Sequence, residues 1–200
     1  MVSGFEFLIV LATSFGLNLI PFAGPSNLFI ASTAVLSLGV ADPTILIVVG
    51  VLIALGGSFA KSIHYLVTFF ISKHLSQKRQ ERLNADAVKV KKWAFLLLFV
   101  AAASPIPDEP VVIPLGLMKY SPAKFFTSFF LGKLVITISG AFLGAWTKMT
   151  FAEWLSPEAM IILSILLTIV ITAILLKVDV GKSLEKFVAR FKKKHKGPAI

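Results

Sequence analysis

The chain has 200 residues, of which 56% are hydrophobic and only 15% are charged. A soluble domain rarely contains so large an apolar fraction, so the composition predicts an all-α integral membrane protein. The absence of cysteine excludes disulfides and thiolate metal sites, and the three histidines are scattered along the chain. No serine lies in a nucleophile elbow, so we expect no enzyme, no cofactor and no metal site.

The formal net charge of +10 would suggest a nucleic-acid partner if the protein were soluble. Most of the 20 lysines and arginines, however, lie in residues 73–92 and 177–196, which flank apolar runs. Short basic segments of this kind are typical of the cytoplasmic side of a membrane protein. We therefore expect no nucleic-acid partner, and we place loop 73–92 and the C-terminus in the cytoplasm.

The apolar runs differ in length. Residues 1–20 are predicted to form an N-terminal membrane helix, which contains the run Phe5–Ile20. Asn27–Gly39 is too short to cross about 30 Å of hydrocarbon at 1.5 Å per residue, whereas Thr44–Ser72 is long enough. After the basic loop, Trp93–Ser104 and Val111–Met118 are again too short to span a bilayer.

The last third of the chain contains two further predicted spans. Phe125–Trp146 can cross a bilayer although it contains Lys133, and residues 157–177 are predicted to form a C-terminal transmembrane helix. Residues 178–200 form a basic amphipathic tail, which we expect on an anionic lipid surface.

Charge distribution predicts how the short segments are arranged. If residues 93–118 crossed the bilayer, the basic tail would end outside the cell, against the positive-inside rule. We therefore predict a re-entrant segment at 93–118 and, from the opposite face, a second one at 21–39. Each is followed by a long span within a core of residues 21–146, so the sequence predicts two opposed re-entrant helical hairpins in an inverted repeat, packed among transmembrane helices.

Two adjacent acids lie at the tip of the second re-entrant segment, in "IPDEPVVIP". Ionised Asp108 and Glu109 would cost several kcal/mol each at that depth unless they are paired or hydrated. Lys61 and Lys133 lie roughly 14–18 Å from the cytoplasmic interface if their helices are regular, so the four groups are predicted to form a neutralised polar cluster. Alternatively, the two acids simply cap the short helix that follows them.

Three more polar residues accompany this predicted centre. His64 shares a helix face with Lys61 and is compatible with a proton relay or with a plain hydrogen-bonded role. Ser26 and Asn27 begin the short helix of the first segment, and helix N-termini bind anions. Ser26, Asn27, Lys61 and Lys133 are therefore candidates for binding a phosphate or carboxylate headgroup, although plain N-capping of a packed half-helix explains Ser26 and Asn27 equally well.

Several stretches within residues 15–146 resemble motifs of the DedA superfamily, also called the VTT domain or SNARE-associated Golgi protein family. These are "IPFAGPSNLFIASTAVLSLG", "GGSFAKSIHYLVTFFISKHL" and "FVAAASPIPDEPVVIPLGLMKYSPAKFFTSFFLGK". The resemblance implies opposed re-entrant hairpins and lipid transport. Bacterial members are implicated in translocating polyprenyl-phosphate carriers with involvement of the proton motive force, and eukaryotic relatives scramble phospholipids. Asn27 stands where many bacterial members have glutamate, and their second motif carries arginines where this chain has Ala-Ser and Asp108-Glu109.

Together these features favour a membrane lipid transporter of the flippase or scramblase type in the plasma membrane of a prokaryote. Its expected partners are membrane lipids with a phosphate headgroup, such as polyprenyl phosphate or a phospholipid. One alternative is a proton-coupled secondary transporter of a small solute, with Asp108 or Glu109 as proton carrier. Another is a non-transporting membrane scaffold. The sequence is also compatible with a homo-oligomer.

Overall fold

A computed structural model describes residues 2–21, 24–77, 81, 92–105 and 107–151, with residues 156, 159, 162 and 166. Within this part of the chain the regular elements are all helices, which confirms the predicted all-α class. Most of the basic loop, nearly all of the predicted helix 157–177 and the whole tail 178–200 lie outside the described residues.

Two short helices precede each long helix. They are α1 (Gly4–Asn18), α2 (Asn27–Leu38), α3 (Pro43–Ile71, extended by a 3₁₀ turn at Ser72–His74), α4 (Ala94–Ala102), α5 (Glu109–Leu117) and α6 (Pro122–Phe151). Among the described helices, only α3 and α6 are long and apolar enough to cross a membrane. Their most apolar stretches have mean hydropathies of 2.2 and 1.7. The predicted spans Thr44–Ser72 and Phe125–Trp146 therefore correspond to helices that are long and apolar enough to cross a bilayer.

Local sequence signals set the helix boundaries. The Asp42 side chain accepts hydrogen bonds from the backbone amides of Thr44 at 2.9 Å and Ile45 at 3.1 Å, and Pro43 opens α3. Gly39 ends α2 with a φ of 67°, a left-handed conformation that glycine adopts without steric cost. The chain therefore leaves α2 and enters α3 within four residues.

The long helices α3 and α6 pack against each other in opposite directions. The Thr137 hydroxyl in the middle of α6 donates to the Gly50 carbonyl in the first third of α3 at 2.8 Å. At the other end the rings of Tyr65 and Phe125 stack with their centroids 4.2 Å apart. This antiparallel pair forms the frame on which the short helices pack.

Helices α1 and α2 pack on the half of this frame that contains the start of α3. The Ser14 hydroxyl of α1 donates to the Ile53 carbonyl at 2.8 Å, and the Ser32 hydroxyl of α2 donates to the Gly140 carbonyl at 2.8 Å. At the end of α2, the Lys148 ammonium donates to the Gly39 carbonyl. Helix α2 thus begins beside the middle of α6 and ends beside its C-terminal turns.

Helices α4 and α5 pack on the opposite half. The Ser128 hydroxyl near the start of α6 donates to the Phe95 carbonyl near the start of α4. At the end of α5, Gly116 lies against Thr68 of α3, and the Tyr65 hydroxyl donates to the Tyr120 carbonyl just beyond α5. Helix α4 therefore starts, and α5 ends, at the same end of the α3–α6 pair. The turn between α4 and α5 lies closer to the middle of that pair.

The outward faces of the long helices remain apolar. On α3, Phe59 is 52% exposed and Phe70 is 54% exposed, and on α6, Val135 is 50% exposed. Large apolar side chains with this exposure would be unfavourable in water, but hydrocarbon solvates them. The polar side chains described below point inwards instead.

Candidate functional site

Four charged side chains meet near the middle of the long helices. Lys61 comes from α3, Lys133 from α6, and Asp108 and Glu109 from the start of α5. The Lys133 ammonium lies 2.7 Å from Asp108 Oδ2, and the Lys61 ammonium lies 3.4 Å from Asp108 Oδ1. Lys61 also forms an ion pair with the Glu109 carboxylate. The structure thus brings together the four charged side chains that were predicted from the sequence to lie at equal depth in the membrane.

These four residues, hereafter the charge cluster, are almost completely shielded. Their exposed fractions are 5% for Lys61, 4% for Asp108, 3% for Glu109 and 3% for Lys133. Two ammonium groups and two carboxylates give a formal charge of zero. Desolvating four charges is costly, and removing a single partner would leave an uncompensated buried charge.

The alternative that the acids are present to cap a helix is wrong for Asp108. Asp108 occupies the N-cap position of α5, but its side chain makes no capping hydrogen bond. Its backbone carbonyl accepts from the amides of Val111 and Val112, both at 3.0 Å. The carboxylate faces the two lysines instead, while Glu109 lies in the first turn of α5, where the helix dipole favours a negative charge.

Two buried side-chain atoms near Lys61 lack hydrogen bonds within the described part of the chain. Asp108 Oδ1 faces Lys61 but accepts no hydrogen bond, and Ser58 Oγ, one turn before Lys61 on α3, has no partner there. Buried polar atoms in native proteins are usually hydrogen-bonded, either to protein groups or to water. The charge cluster therefore retains hydrogen-bonding capacity.

His64 lies one turn beyond Lys61 on α3 and is half-buried. Its Nε2 atom lies 3.0 Å from the Leu19 carbonyl, and because a carbonyl can only accept, Nε2 carries the hydrogen. Nδ1 is buried without a partner among the described residues. The hydrogen-bonded role is present, and the proton-relay role stays a prediction.

The start of α2 forms a second, uncharged polar centre. The side-chain amides of Asn18 and Asn27 exchange two hydrogen bonds of 3.0 Å each, and Asn18 also donates to the Ser14 carbonyl at 2.8 Å. The Ser26 hydroxyl accepts from the Phe29 amide at 3.3 Å and so caps α2. Both headgroup candidates at this tip are thus engaged within the protein, and their role in binding stays a prediction.

Sequence reasoning missed Asn18. Its only signal was a polar residue near the end of an apolar run, in "FGLNLIPF". Gly57 of α3 lies beneath the asparagine pair, because a Cβ at this position would be 3.2 Å from Asn27 Oδ1. Since Lys61 follows Gly57 by one helical turn, the asparagine pair and the charge cluster are neighbours along α3.

Aromatic rings close one side of the charge cluster. The Lys133 ammonium lies 5.0 Å from the centroid of the Phe129 ring, a cation–π arrangement. Phe129 stacks on Phe125, which stacks on Tyr65. This stack lies between the cluster and the end of the frame where α5 finishes.

A family model for the VTT domain matches residues 24–146, which is more than half of the chain. The chain belongs to the VTT domain family. This domain is that of the DedA and SNARE-associated proteins, so the resemblance noted in the sequence is confirmed. Comparisons with curated proteins and with solved structures found no match.

The VTT domain match includes every residue of the charge cluster and extends from just before α2 to within α6. Together with the two long apolar helices, it identifies a membrane protein. Across the described segments of this VTT domain protein, no group of three or more His, Asp or Glu side chains could hold a metal ion.

Proposed function

We propose that the protein is a lipid transporter of the flippase or scramblase type that moves a phosphate-headed lipid, such as polyprenyl phosphate or a phospholipid, between leaflets. The observation that carries this proposal is the charge cluster, which lies between apolar helices of a VTT domain. A purely structural role would not need these charges, because apolar residues of similar volume are often as stable as a buried ion pair or more stable.

The proposal includes a placement of the helices in the membrane, which the contacts between helices support. Helices α4 and α5 form a re-entrant hairpin that enters from the cytoplasmic face, and its tip carries Asp108 and Glu109. Helix α2 runs from the middle of the α3–α6 pair to the opposite face of the membrane. At 15 residues, α1 is about 22 Å long, too short to cross the hydrocarbon. This proposal therefore differs from the sequence prediction, which confined the first re-entrant segment to residues 21–39, and makes α1 the incoming arm of that hairpin.

The arrangement provides a polar environment for the lipid headgroup and an apolar environment for its tail. Lys61 and Lys133 attract a phosphate, and the helix dipoles at the starts of α2 and α5 favour negative charge. The exposed apolar faces of α3 and α6 leave the hydrocarbon tail in the lipid. A headgroup would therefore pass the middle of the bilayer along polar atoms while its tail stays solvated.

Lipid movement can be measured in vesicles that carry a phospholipid with a fluorescent acyl chain. In protein-free vesicles a membrane-impermeant reductant bleaches only the outer leaflet, which is about half of the label. Reconstituted protein should expose nearly all of the label. An unchanged bleached fraction with correctly folded protein would contradict lipid transport and favour the scaffold alternative.

The double amide variant, Asp108→Asn with Glu109→Gln, separates a passive lipid path from proton coupling. The amides keep the shape of both side chains but cannot titrate. We expect lipid movement to be slower but still measurable, because both lysines remain. Complete loss of movement in a folded variant would favour proton coupling through these carboxylates.

A further inference from the structure

We propose that the predicted C-terminal transmembrane helix, residues 157–177, packs in the groove between α1 and α2. The occupant of this groove is thus a later segment of the same chain, which adds a third helix to the first pair of short helices. This packing is independent of lipid transport.

Helices α1 and α2 enclose a groove with a cavity of about 270 Å³. Among the described residues, the walls of this groove come from these two helices alone. The walls are mainly apolar, but each helix also contributes hydroxyl groups to them. The wall residues used below are Ile9, Thr13 and Leu17 of α1 and Phe29, Thr33, Ala34 and Ser37 of α2. Ile9 is 48% exposed, so this side of α1 is open for a further helix.

The described chain leaves α6 close to one end of the groove. Lys148, in the last turn of α6, donates to the Gly39 carbonyl just after α2. Ser37 of the groove wall lies two residues before Gly39. Residues 152–156 alone separate Phe151 from the start of the predicted helix. That start therefore lies at most about 20 Å from the end of α6, which places it within reach of the groove.

Four described residues mark the beginning and one face of the C-terminal helix. The Ser156 hydroxyl accepts from the Ala159 amide at 3.4 Å, as the side chain of an N-cap residue does. Ala159, Ile162 and Leu166 are helical. Ile162 and Leu166 lie one turn apart and are 58% and 54% exposed. This face is therefore turned to the lipid, and the opposite face is the one available for packing.

The sequence places a row of hydroxyl groups on that opposite face. Ser164, Thr168 and Thr172 follow one another at intervals of four residues, so they lie along one side of a helix. Ser164 is about 200° around the helix from Ile162, and Thr168 is about 200° around from Leu166. Small and hydroxyl-bearing residues are enriched where membrane helices pack closely. The C-terminal helix thus carries a packing face that points away from the lipid.

The groove carries hydroxyl groups at corresponding depths. Thr33 and Ser37 lie one turn apart on α2, and Thr13 lies on the α1 wall. Thr13 is about 14 Å along α1 from its start, while Ser164 and Thr168 are about 11 and 17 Å from the start of the predicted helix. Hydroxyl groups at matching depths can hydrogen-bond across helices, which stabilises their association in a membrane. An acyl chain in the groove has no group that could pair with these hydroxyls.

The charge of the tail agrees with the direction of this helix. A helix that enters beside the end of α2 and runs parallel to α1 is about 31 Å long over residues 157–177, enough to cross the hydrocarbon. The basic residues 178–200 then emerge on the same side as the basic loop 73–92. Both segments obey the positive-inside rule in that arrangement.

Disulfide crosslinking in membranes tests the packing, because the chain contains no cysteine of its own. The facing pair is Thr13→Cys with Thr168→Cys. The matched control is Thr13→Cys with Leu166→Cys, which lies at nearly the same depth but on the lipid-facing side. Since a disulfide needs Cα atoms within about 7 Å, mild oxidation should crosslink the facing pair several-fold more than the control. Thr33→Cys with Ser164→Cys provides a second facing pair, and mass spectrometry identifies the linked peptides.

A variant that fills the groove makes the test specific to it. Ala34 lies on the groove wall, so Ala34→Phe should displace the C-terminal helix and lower crosslinking of the facing pairs. Thermal unfolding in detergent identifies the folded variants. Equal crosslinking of facing and control pairs, or unchanged crosslinking in folded Ala34→Phe, would overturn the proposal. Crosslinks that form only between two chains, each with one cysteine, would assign the groove to a second copy instead. Facing pairs that stay reduced while a lipid is retained through purification would assign it to lipid.

Discussion

Lys61 has two carboxylate partners that are adjacent in sequence, and Lys133 has one of the same two. Asp108 therefore joins the two lysines, while Glu109 completes the charge balance. Two acids at one helix start thus pair with lysines from two different long helices. A single acid could cap α5, but it could not neutralise two lysines that come from different long helices.

Removing the Asp108 charge should destabilise the protein strongly. Asp108→Asn leaves Lys133 buried without its carboxylate, and breaking a buried pair costs about 3–5 kcal/mol. The matched control is Asp108→Asn/Lys133→Met, which removes both charges and leaves the pair of Lys61 and Glu109. Unfolding in detergent should show the single variant to be clearly less stable than the double variant. Equal stability of the two variants would show that Lys133 does not depend on Asp108.

At the scale of the helices, the sequence was sufficient where length and charge decide the structure. The short apolar runs predicted helices that cannot cross a bilayer, and α2, α4 and α5 have 12, 9 and 9 residues. The ion pairs followed from placing Lys61 and Lys133 at equal depth. These inferences use only distances along a regular helix, which follow from the number of residues between two positions in the sequence.

Other features depend on which helix faces which, and residue spacing along one helix does not reveal this. The pair of Asn18 and Asn27 links two helices through side-chain amides, and nothing in the local sequence matches one asparagine with the other. The same holds for the partner of His64, the Leu19 carbonyl just beyond α1. The role of Asp108 was also ambiguous, because an acid at a helix start is compatible with capping and with ion pairing.

Close contact between α2 and α6 requires glycine on α6. A Cβ at Gly140 would lie 2.5 Å from the Leu28 carbonyl oxygen and 3.1 Å from the Ala31 Cβ. Gly140→Ala should therefore push the two helices apart and lower stability by about 1–3 kcal/mol. Thermal unfolding in detergent would measure the loss.

Gly16 provides a matched control for that substitution. It is also a helical glycine, but a Cβ there would meet no atom within 4 Å. Gly16→Ala should be neutral or stabilising by up to about 1 kcal/mol, because alanine has the higher helix propensity. If both alanine variants are equally stable, α2 and α6 are not in close contact at Gly140.

For the whole molecule, the packing relates two similar units. In each unit two short helices are followed by a long one, namely α1, α2 and α3, then α4, α5 and α6. Since α3 and α6 run in opposite directions, the short pairs occupy opposite halves of the frame. The tip of one pair carries asparagines and the tip of the other carries acids, so the units are similar in architecture but different in chemistry.

The absence of cysteine allows the topology to be tested with single cysteines. Lys73→Cys and Lys124→Cys lie at exposed positions near the end of α3 and the start of α6, and Ala41→Cys lies at an exposed position before α3. An impermeant thiol reagent should label positions 73 and 124 from the cytoplasmic side and position 41 from the other side. Labelling of positions 73 and 124 from opposite sides would contradict the proposed placement of α4 and α5.

The central claim is that a lipid headgroup occupies the charge cluster, and photo-crosslinking tests it most directly. A phospholipid with a photoreactive group on its headgroup would be irradiated in vesicles with the protein, and the modified peptides would be mapped by mass spectrometry. We predict crosslinks in the peptides that contain Lys61 and Asp108, with fewer in the Lys133→Met variant. Crosslinks confined to outward-facing positions such as Phe59 and Val135 would contradict the claim.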